Sequence, residues 1–173
     1  MLSTLDETDI RILKLLQENA RLTTREIADK LNKTATPVFR RIKRLEDEGF
    51  IKKYVAILDP GKIERSLIAI THVHLKDHSK DSLLGFESEI IRLPEVLECY
   101  HMSGEYDFIL RVAVKDLEAY HDFLMNRLFG IMSVGSVQST FVMKECKHES
   151  AFPINLPARE FPSARQEQDA KLL

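Results

Sequence analysis

Apolar positions in the N-terminal third of the chain recur with the period of three short helices. Asp6 stands where it would cap the first helix, and Thr23 with Glu26 has the spacing of a capping box ahead of the second. The third helix is predicted to begin at the cap Thr34 and to end at Gly49. Because only two residues separate the second helix from the third, the two must cross steeply, as in a helix-turn-helix.

A hairpin is predicted directly after the third helix, from the apolar positions 50–51 and 54–58. It would form a two-stranded wing with Lys52 and Lys53 near its turn. This region is basic, since residues 21–53 hold ten Lys or Arg against five Asp or Glu, whereas the whole chain has a formal net charge of -2. A basic lobe joined to an acidic remainder suggests a domain that binds a polyanion, although two solvated surfaces of different charge would give the same pattern.

In a helix-turn-helix the third helix enters the major groove of DNA and presents its N-terminal residues to base edges. Arginines further along this helix would reach phosphates or guanine. The alternative is a solvated face on which these arginines pair with the acidic residues at 46–48. The predicted DNA contacts are Lys33, Thr34, Ala35, Thr36, Arg40, Arg41, Arg44, Lys52 and Lys53.

A second domain is predicted after the turn sequence Asp59-Pro60-Gly61. Its pattern gives a βαββαβ order, with strands at 68–76, 96–103, 106–114 and 136–144 and helices at 80–93 and 116–128. Leu117, Tyr120 and Leu124 are expected to face inward from the second of these helices. The order is that of a ferredoxin-like split unit, so the fold class is predicted to be α+β.

The predicted division of the chain has four parts. A winged helix-turn-helix covers 1–58, a linker 59–66, a ligand-binding and oligomerisation domain 67–150, and a C-terminal extension 151–173. Two helices on one face of the sheet leave the other face open, and a second copy of the chain is expected to cover its apolar side chains. The extension is either a disordered end or a short helix, and the sequence leaves both open.

Several classes of protein are disfavoured by what the sequence lacks. No apolar stretch approaches the roughly 20 residues that cross a bilayer, and the N-terminus has no signal-peptide pattern. Cys99 and Cys146 are too few for a disulfide framework and suit a reducing cytoplasm. The sequence contains no phosphate-binding loop, zinc-protease helix or hydrolase elbow. We therefore expect a cytoplasmic protein that is not an enzyme and has no cofactor.

Histidines and cysteines placed two residues apart suggest a second interpretation. On a strand this spacing points both side chains to one face, and thiolate with imidazole would suit Zn²⁺ if two such pairs converged. The pairs are His72 with His74, Cys99 with His101, and Cys146 with His148. A metal- or redox-responsive regulator is therefore the alternative function, and polar contacts at a subunit surface are the alternative role of these side chains.

Short motifs follow one another in a characteristic order from about Leu5 to Leu156. They are Leu5-Asp-Glu-Thr-Asp-Ile10, the segments 19–22, 37–46, 49–51 and 93–96, Gly104-Glu-Tyr-Asp-Phe-Ile-Leu110 and Ser139-Thr-Phe-Val-Met-Lys144. In these motifs the chain resembles the Lrp/AsnC (leucine-responsive, feast/famine) transcriptional regulators. The resemblance implies a winged helix-turn-helix joined by a β-linker to an effector-binding domain. It also implies dimers that assemble into octamers and an amino acid as effector.

The resemblance further implies where the effector binds. The site would lie between dimers, near the turn that joins the second and third strands of the effector domain. By similarity, one wall consists of Gly104, Glu105, Tyr106 and Asp107, and the other of Gly135, Ser136, Val137, Gln138 and Ser139. Backbone amides beside a glycine could bind the carboxylate of an amino acid, and an acidic group its ammonium. Gly104 could instead serve only a tight turn, and Asp107 only a turn cap.

Overall fold

The computed structural model describes residues 5–154 of the chain. Of these, the residues up to Ala56 together with those from Glu149 onward form one compact unit, named the N-terminal unit. Ile57–His148 form a second unit, named the sheet unit. The chain therefore passes between the units twice, once before and once after the sheet unit. The predicted division into four consecutive segments does not group the end of the described chain with the N-terminal helices.

Three helices build the N-terminal unit: α1 (Glu7–Glu18), α2 (Thr24–Lys30) and α3 (Ala35–Asp47). Asp6 and Thr23 occupy the predicted cap positions, and each forms a reciprocal capping box. Asn32, in the link between α2 and α3, has a φ of 52°, which turns the chain sharply between the two helices. Gly49 ends α3 at a φ of 78°, a backbone conformation that favours glycine.

The core of the N-terminal unit lies between the apolar faces of its three helices. Ile12 of α1, Ile27 of α2, and Val38 and Leu45 of α3 are completely shielded from solvent. These positions follow the helical period that the sequence shows. Burial of this shared face holds together helices that are too short to be stable alone.

Residues 149–154 return to α1 and are named the C-terminal strap. The side-chain amide of Gln17 donates from Nε2 to the carbonyl oxygen of Phe152 at 3.1 Å and accepts the backbone N–H of Phe152 at 2.6 Å. These two hydrogen bonds resemble the pairing of neighbouring strands. Ile154 packs partly buried against the core of the same unit. The strap is therefore fastened to the first helix.

The predicted two-stranded wing is wrong for the described chain, since residues 50–58 form no strand. The two lysines between the predicted strands supply none of the residues that close a hairpin turn. Val55 remains 62% exposed, so the segment has no buried face that would fix a strand register. Tyr54 instead donates its hydroxyl to Glu46 at 3.0 Å, and burial together with this carboxylate raises the pKa of Tyr54 to about 12.

The sheet unit has the predicted βαββαβ order. After a short 3₁₀ turn its elements are β1 (Leu67–Leu75), α4 (Lys80–Ile90), β2 (Val96–His101), β3 (Phe108–Val114), α5 (Leu117–Phe123), a π-helical turn (Leu124–Leu128) and β4 (Val134–Phe141). The strands form one antiparallel sheet in the order β2-β3-β1-β4, which is the ferredoxin-like topology. The predicted α+β fold class is confirmed. None of the helices among the described residues is long and apolar enough to cross a membrane.

Two strand ends differ from the prediction for reasons of pairing. β4 ends at Phe141, which pairs with Ala69, rather than at 144, and after it only a hydrogen bond from the Val142 N–H to the Ile68 carbonyl continues the pairing with β1. β3 begins at Phe108 rather than at 106. The backbone N–H of Asp107 donates to the carbonyl of Val73, which is not the pairing that the register of β1 and β3 would give. Neither end is visible in the hydrophobic pattern, since both depend on a neighbouring strand.

Helices α4 and α5 cover one face of the sheet. Phe86 of α4 packs its ring 4.5 Å from that of Phe108, and Tyr120 and Phe123 of α5 are almost completely buried. The expectation that Leu117 faces inward is wrong, because this side chain is 62% exposed. At 100° per residue, Leu117 points about 90° away from the direction shared by Tyr120 and Phe123.

Candidate DNA-binding surface and effector site

The first turn of α3 is an exposed, uncharged end of a helix. Thr34 caps it with extended backbone but makes no capping hydrogen bond through its side chain, and no acidic residue lies in this turn. Lys33, Ala35 and Thr36 are exposed beside it. The positive end of the helix dipole favours phosphate at such a position. The structure therefore brings together the four predicted contacts at 33–36.

The three arginines of α3 divide into two kinds. Arg40 is exposed and forms no ion pair with any described residue. The Arg41 guanidinium lies 2.6 Å from a carboxylate oxygen of Asp6 and 2.7 Å from one of Asp9. Arg44 lies 2.5 Å from the other oxygen of Asp9. Of the three, Arg40 alone has no ion-pair partner among the described residues, whereas the prediction treated all three as equivalent.

The pKa values follow this pairing. Hydrogen bonds from the guanidinium to Asp9 and then to Asp6 raise the pKa of Arg41. Burial acts to raise the pKa of Asp6, but the backbone N–H of Asp9 and the guanidinium of Arg41 together outweigh it and lower that pKa. Both groups therefore stay charged at neutral pH.

Asp6 and Asp9 were not among the predicted site residues, although the sequence holds a signal for one of them. Asp9 lies three, four and seven positions before Ile12, Leu13 and Leu16, so it belongs to the buried stripe of α1. A carboxylate on a buried stripe needs a charged partner. Which residue supplies it depends on how α1 and α3 pack, and the sequence does not give that.

The two predicted lysines after α3 are exposed. Lys52 and Lys53 lie in the irregular segment that follows Gly49, directly beyond the C-terminal end of α3. The first turn of α3 is at the opposite end of the helix. Any contact from these lysines would therefore reach the DNA backbone away from the bases that α3 contacts.

Tyr106 and Gln138, one from each predicted wall of the effector site, meet directly. The Tyr106 hydroxyl donates to the side-chain oxygen of Gln138 at 2.5 Å. Its ring lies 4.5 Å from the ring of His72 and 4.9 Å from that of His74, between centroids. The Nδ1 atom of His72 is buried and has no hydrogen-bond partner among the described residues. The surface around Tyr106 is thus polar and aromatic, and one of its polar atoms is unsatisfied.

The other residues of the first wall have structural contacts or are exposed. Asp107 accepts the backbone N–H of Leu75 at 2.8 Å, and its carboxylate lies 3.1 Å from His78. Gly104 has a φ of 151°, which favours glycine, and Glu105 is exposed beside it. The Asp107 side chain therefore binds the end of β1 rather than capping its own turn, which is the role considered for it from the sequence.

The second predicted wall is wrong as a single surface, because side chains alternate along β4. Ser136 and Gln138 pair with His74 and His72 and share the open face of the sheet. Ser139 points to the helix-covered face, where it accepts the Tyr120 hydroxyl at 2.6 Å, and Val137 packs against the core on that side. The strand period of two separates these residues.

Gly135 has a packing role at the start of β4. A Cβ atom built at Gly135 would lie 3.2 Å from the carbonyl oxygen of His74, and at the same distance from the carbonyl carbon of Leu75 and the backbone nitrogen of Lys76. The two strands therefore approach closely here, at the point where their register shifts.

The cysteine and histidine pairs do not converge. Among residues 5–154, no three His, Cys, Asp or Glu side chains are grouped so that they could hold a metal ion. Cys99 and His101 line a cleft of about 450 Å³ together with Glu87 and Phe108. Burial, and then the charge of Glu87, raise the pKa of Cys99 to about 11, so the thiol stays protonated and unreactive at neutral pH.

Comparison with known proteins places both units. Residues 5–52 match the model of a winged helix-turn-helix DNA-binding family, and residues 68–152 match that of the Lrp/AsnC ligand binding domain. The Bkd operon transcriptional regulator of Pseudomonas aeruginosa is 39% identical over 150 residues, which cover 87% of this chain and 98% of that protein. The DNA-binding transcriptional activator DecR of Escherichia coli is 36% identical, with coverage of 87% and 99%.

A solved structure gives the same result. The chain superposes on a transcriptional regulator from Neisseria meningitidis, crystallised as a complex with L-Met, with a TM-score of 0.83 and 38% sequence identity. The match covers 88% of this chain and 98% of the other. The similarity therefore extends over both units and includes a relative that binds an amino acid.

Proposed function

This chain belongs to the Lrp/AsnC family of transcriptional regulators, and we propose that it binds DNA with the first turn of α3 and senses an amino acid beside Tyr106. The observation that carries the proposal is the uncharged, exposed start of α3, followed by the unpaired Arg40. The proposal includes a cytoplasmic location, which a DNA-binding family membership supports.

The proposed DNA contacts fall into two groups. Thr34, Ala35 and Thr36 would face base edges, because they occupy the end of the helix that enters the major groove. Lys33, Arg40, Lys52 and Lys53 would contact phosphates and supply salt-sensitive affinity. Arg41 and Arg44 are not proposed as independent phosphate contacts, because Asp6 and Asp9 already pair with their positive charges.

Arg40→Ala is expected to weaken duplex binding and to reduce the slope of log K against log salt by about 0.9, the value for one lost phosphate contact. Fluorescence anisotropy at several salt concentrations measures both quantities, with a duplex selected by the protein from a random pool. Arg92→Ala removes another exposed arginine, this one from the sheet unit, and should leave the slope unchanged. An unaltered slope for the Arg40 variant would remove this residue from the DNA contacts.

The proposed effector site is built around the Tyr106 hydroxyl, the amide of Gln138 and the imidazole of His72. Buried polar atoms in native proteins normally have a partner, so the unsatisfied Nδ1 of His72 supports the presence of a further polar group here. An amino acid supplies such groups. No other cofactor is part of the proposal.

The open face of the sheet is the proposed dimer surface. Tyr100 and Ile109 form its apolar part, in one row across the strands with His72 and Gln138 of the proposed effector site, and Tyr100 is 54% exposed. A second copy of the chain would cover the apolar part of this face. Assembly of dimers into octamers would join several weak DNA-binding modules and raise avidity. An amino acid bound between dimers would shift the equilibrium among assemblies and so alter DNA binding.

Tyr106→Phe is expected to diminish the response to the amino acid and to leave DNA affinity without it unchanged. A thermal-shift screen of the purified protein against each of the twenty amino acids identifies the effector, because a ligand at a hundred times its Kd adds about 2.7 kcal/mol of stability. The variant should lose most of the shift seen for wild type. Tyr54→Phe, which removes a hydroxyl from the N-terminal unit, serves as the control. A full shift in the Tyr106 variant would contradict the proposed site.

A further inference from the structure

The carboxylate of Asp9 is the only fully buried charged group in the described part of the N-terminal unit. Both of its oxygens are bound: one by Arg41 at 2.7 Å, and the other by Arg44 at 2.5 Å and by the backbone N–H of Asp6 at 3.0 Å. The Asp6 carboxylate adds a further contact to Arg41 at 2.6 Å. This cluster is named the Asp9 network.

The Asp9 network joins the start of α1 to the middle of α3. Arg41 and Arg44 lie three residues apart, so two neighbouring points on α3 are fixed to one carboxylate on α1. The planar guanidinium groups hold defined directions as well as distances. A rotation or slide of α3 against α1 would break these contacts and leave a buried charge without its partner.

The network also has no net charge to offer DNA. Two carboxylates face two guanidinium groups at distances of 2.5–2.7 Å, so their fields largely cancel at the distance of a phosphate. Arg40 on the same helix keeps its charge unpaired among the described residues. The two kinds of arginine therefore present different charge to a phosphate.

We propose that Asp9 and Asp6 are positioning residues for the DNA-recognition helix, and that Arg41 and Arg44 act through them rather than on phosphates. This inference rests on the proposed function, because it takes α3 as the helix that binds DNA. The proposal predicts that removal of a negative charge weakens DNA binding, the opposite of the purely electrostatic expectation. Removal of an acidic side chain from a DNA-binding domain strengthens binding if only charge matters. Removal of Asp9 weakens it if the carboxylate sets the position of α3.

The decisive variant is Asp9→Asn in the full chain. Its affinity for the selected duplex is expected to fall by about tenfold, as for the loss of one well-placed base contact. The slope of log K against log salt should stay that of wild type, and the ratio of specific to random-duplex affinity should fall. Glu18→Gln removes an exposed carboxylate from the same helix and should bind no more weakly than wild type. Binding by the Asp9 variant that equals or exceeds that of wild type, at a temperature where its melt shows it folded, would overturn the proposal.

A second variant decides the question if Asp9→Asn shows no cooperative melt. Arg41→Lys keeps the charge beside Asp9 but loses the planar fork. A residue that only neutralises phosphate tolerates lysine, so unchanged affinity would overturn the proposal. A positioning residue does not tolerate lysine. A roughly tenfold loss of duplex affinity in Arg41→Lys, at an unchanged salt slope, therefore supports the proposal. If wild type shows no salt-sensitive duplex binding at all, the proposed function itself fails, which is a separate result.

Discussion

Phe108→Ala is expected to lower the free energy of unfolding of the sheet unit by about 3–5 kcal/mol, the range for truncation of a buried aromatic ring. Phe108 is completely buried, and its ring packs 4.5 Å from Phe86 on α4 and 4.9 Å from His101 on β2. Two contributions add up to this loss of stability: the buried ring no longer gains the free energy of transfer from water, and a cavity remains between α4 and the sheet. Phe86 and Phe108 are the largest fully buried side chains among the described residues.

Denaturant unfolding followed by circular dichroism measures the effect, at a fixed protein concentration because assembly contributes to stability. Leu117→Ala is the control from the same unit, since Leu117 is 62% exposed and should cost no more than about 0.5 kcal/mol. A loss below about 1 kcal/mol for the Phe108 variant would show that the site collapses around the smaller side chain. The description of this core would then be wrong.

A chain that ends at His148 is expected to have an N-terminal unit about 2–5 kcal/mol less stable than a chain that ends at Ile154. The shorter chain loses the two hydrogen bonds between Gln17 and Phe152, at about 0.5–1.5 kcal/mol each. It also loses the partial burial of Ile154, at about 1–2 kcal/mol. Both chains lack the residues after 154, so the comparison isolates the strap.

Thermal melts of the two chains, together with Gln17→Ala in full-length protein, separate the contributions to this effect. Gln17→Ala removes the hydrogen bonds and leaves Ile154 in place, so it should account for part of the loss. Equal melting curves for the two truncated chains would contradict the role given to the strap. Equal curves for Gln17→Ala and wild type would assign the whole effect to Ile154.

The helices and strands could be predicted because their signals are local. The caps Asp6 and Thr23, the stop at Gly49 and the period of the buried residues each depend on neighbours within a few positions. The order of these elements then limited the second domain to a ferredoxin-like topology. Resemblance in the ordered motifs supplied the family, which the comparisons confirmed.

The rest depended on contacts between distant parts of the chain. The pairing of Arg41 with Asp9 spans 32 residues, and that of Gln17 with Phe152 spans 135. No local pattern encodes either pair. Ser139 is a different case, since the alternation of β4 already places it opposite Gln138, and treating 135–139 as one wall overlooked that period.

The position of Ile154 has a consequence for how the protein is made. A ribosome completes α1, α2 and α3 first, and domains generally fold in the order of their synthesis. Ile154, which packs against the core of these helices, is added only after the whole sheet unit has been translated. The N-terminal unit is therefore the first unit to be synthesised, but its core is completed only after the sheet unit has been translated. A chain that terminates within the sheet unit lacks the strap, so its N-terminal unit is incomplete. Only chains translated as far as the strap have an N-terminal unit of full stability.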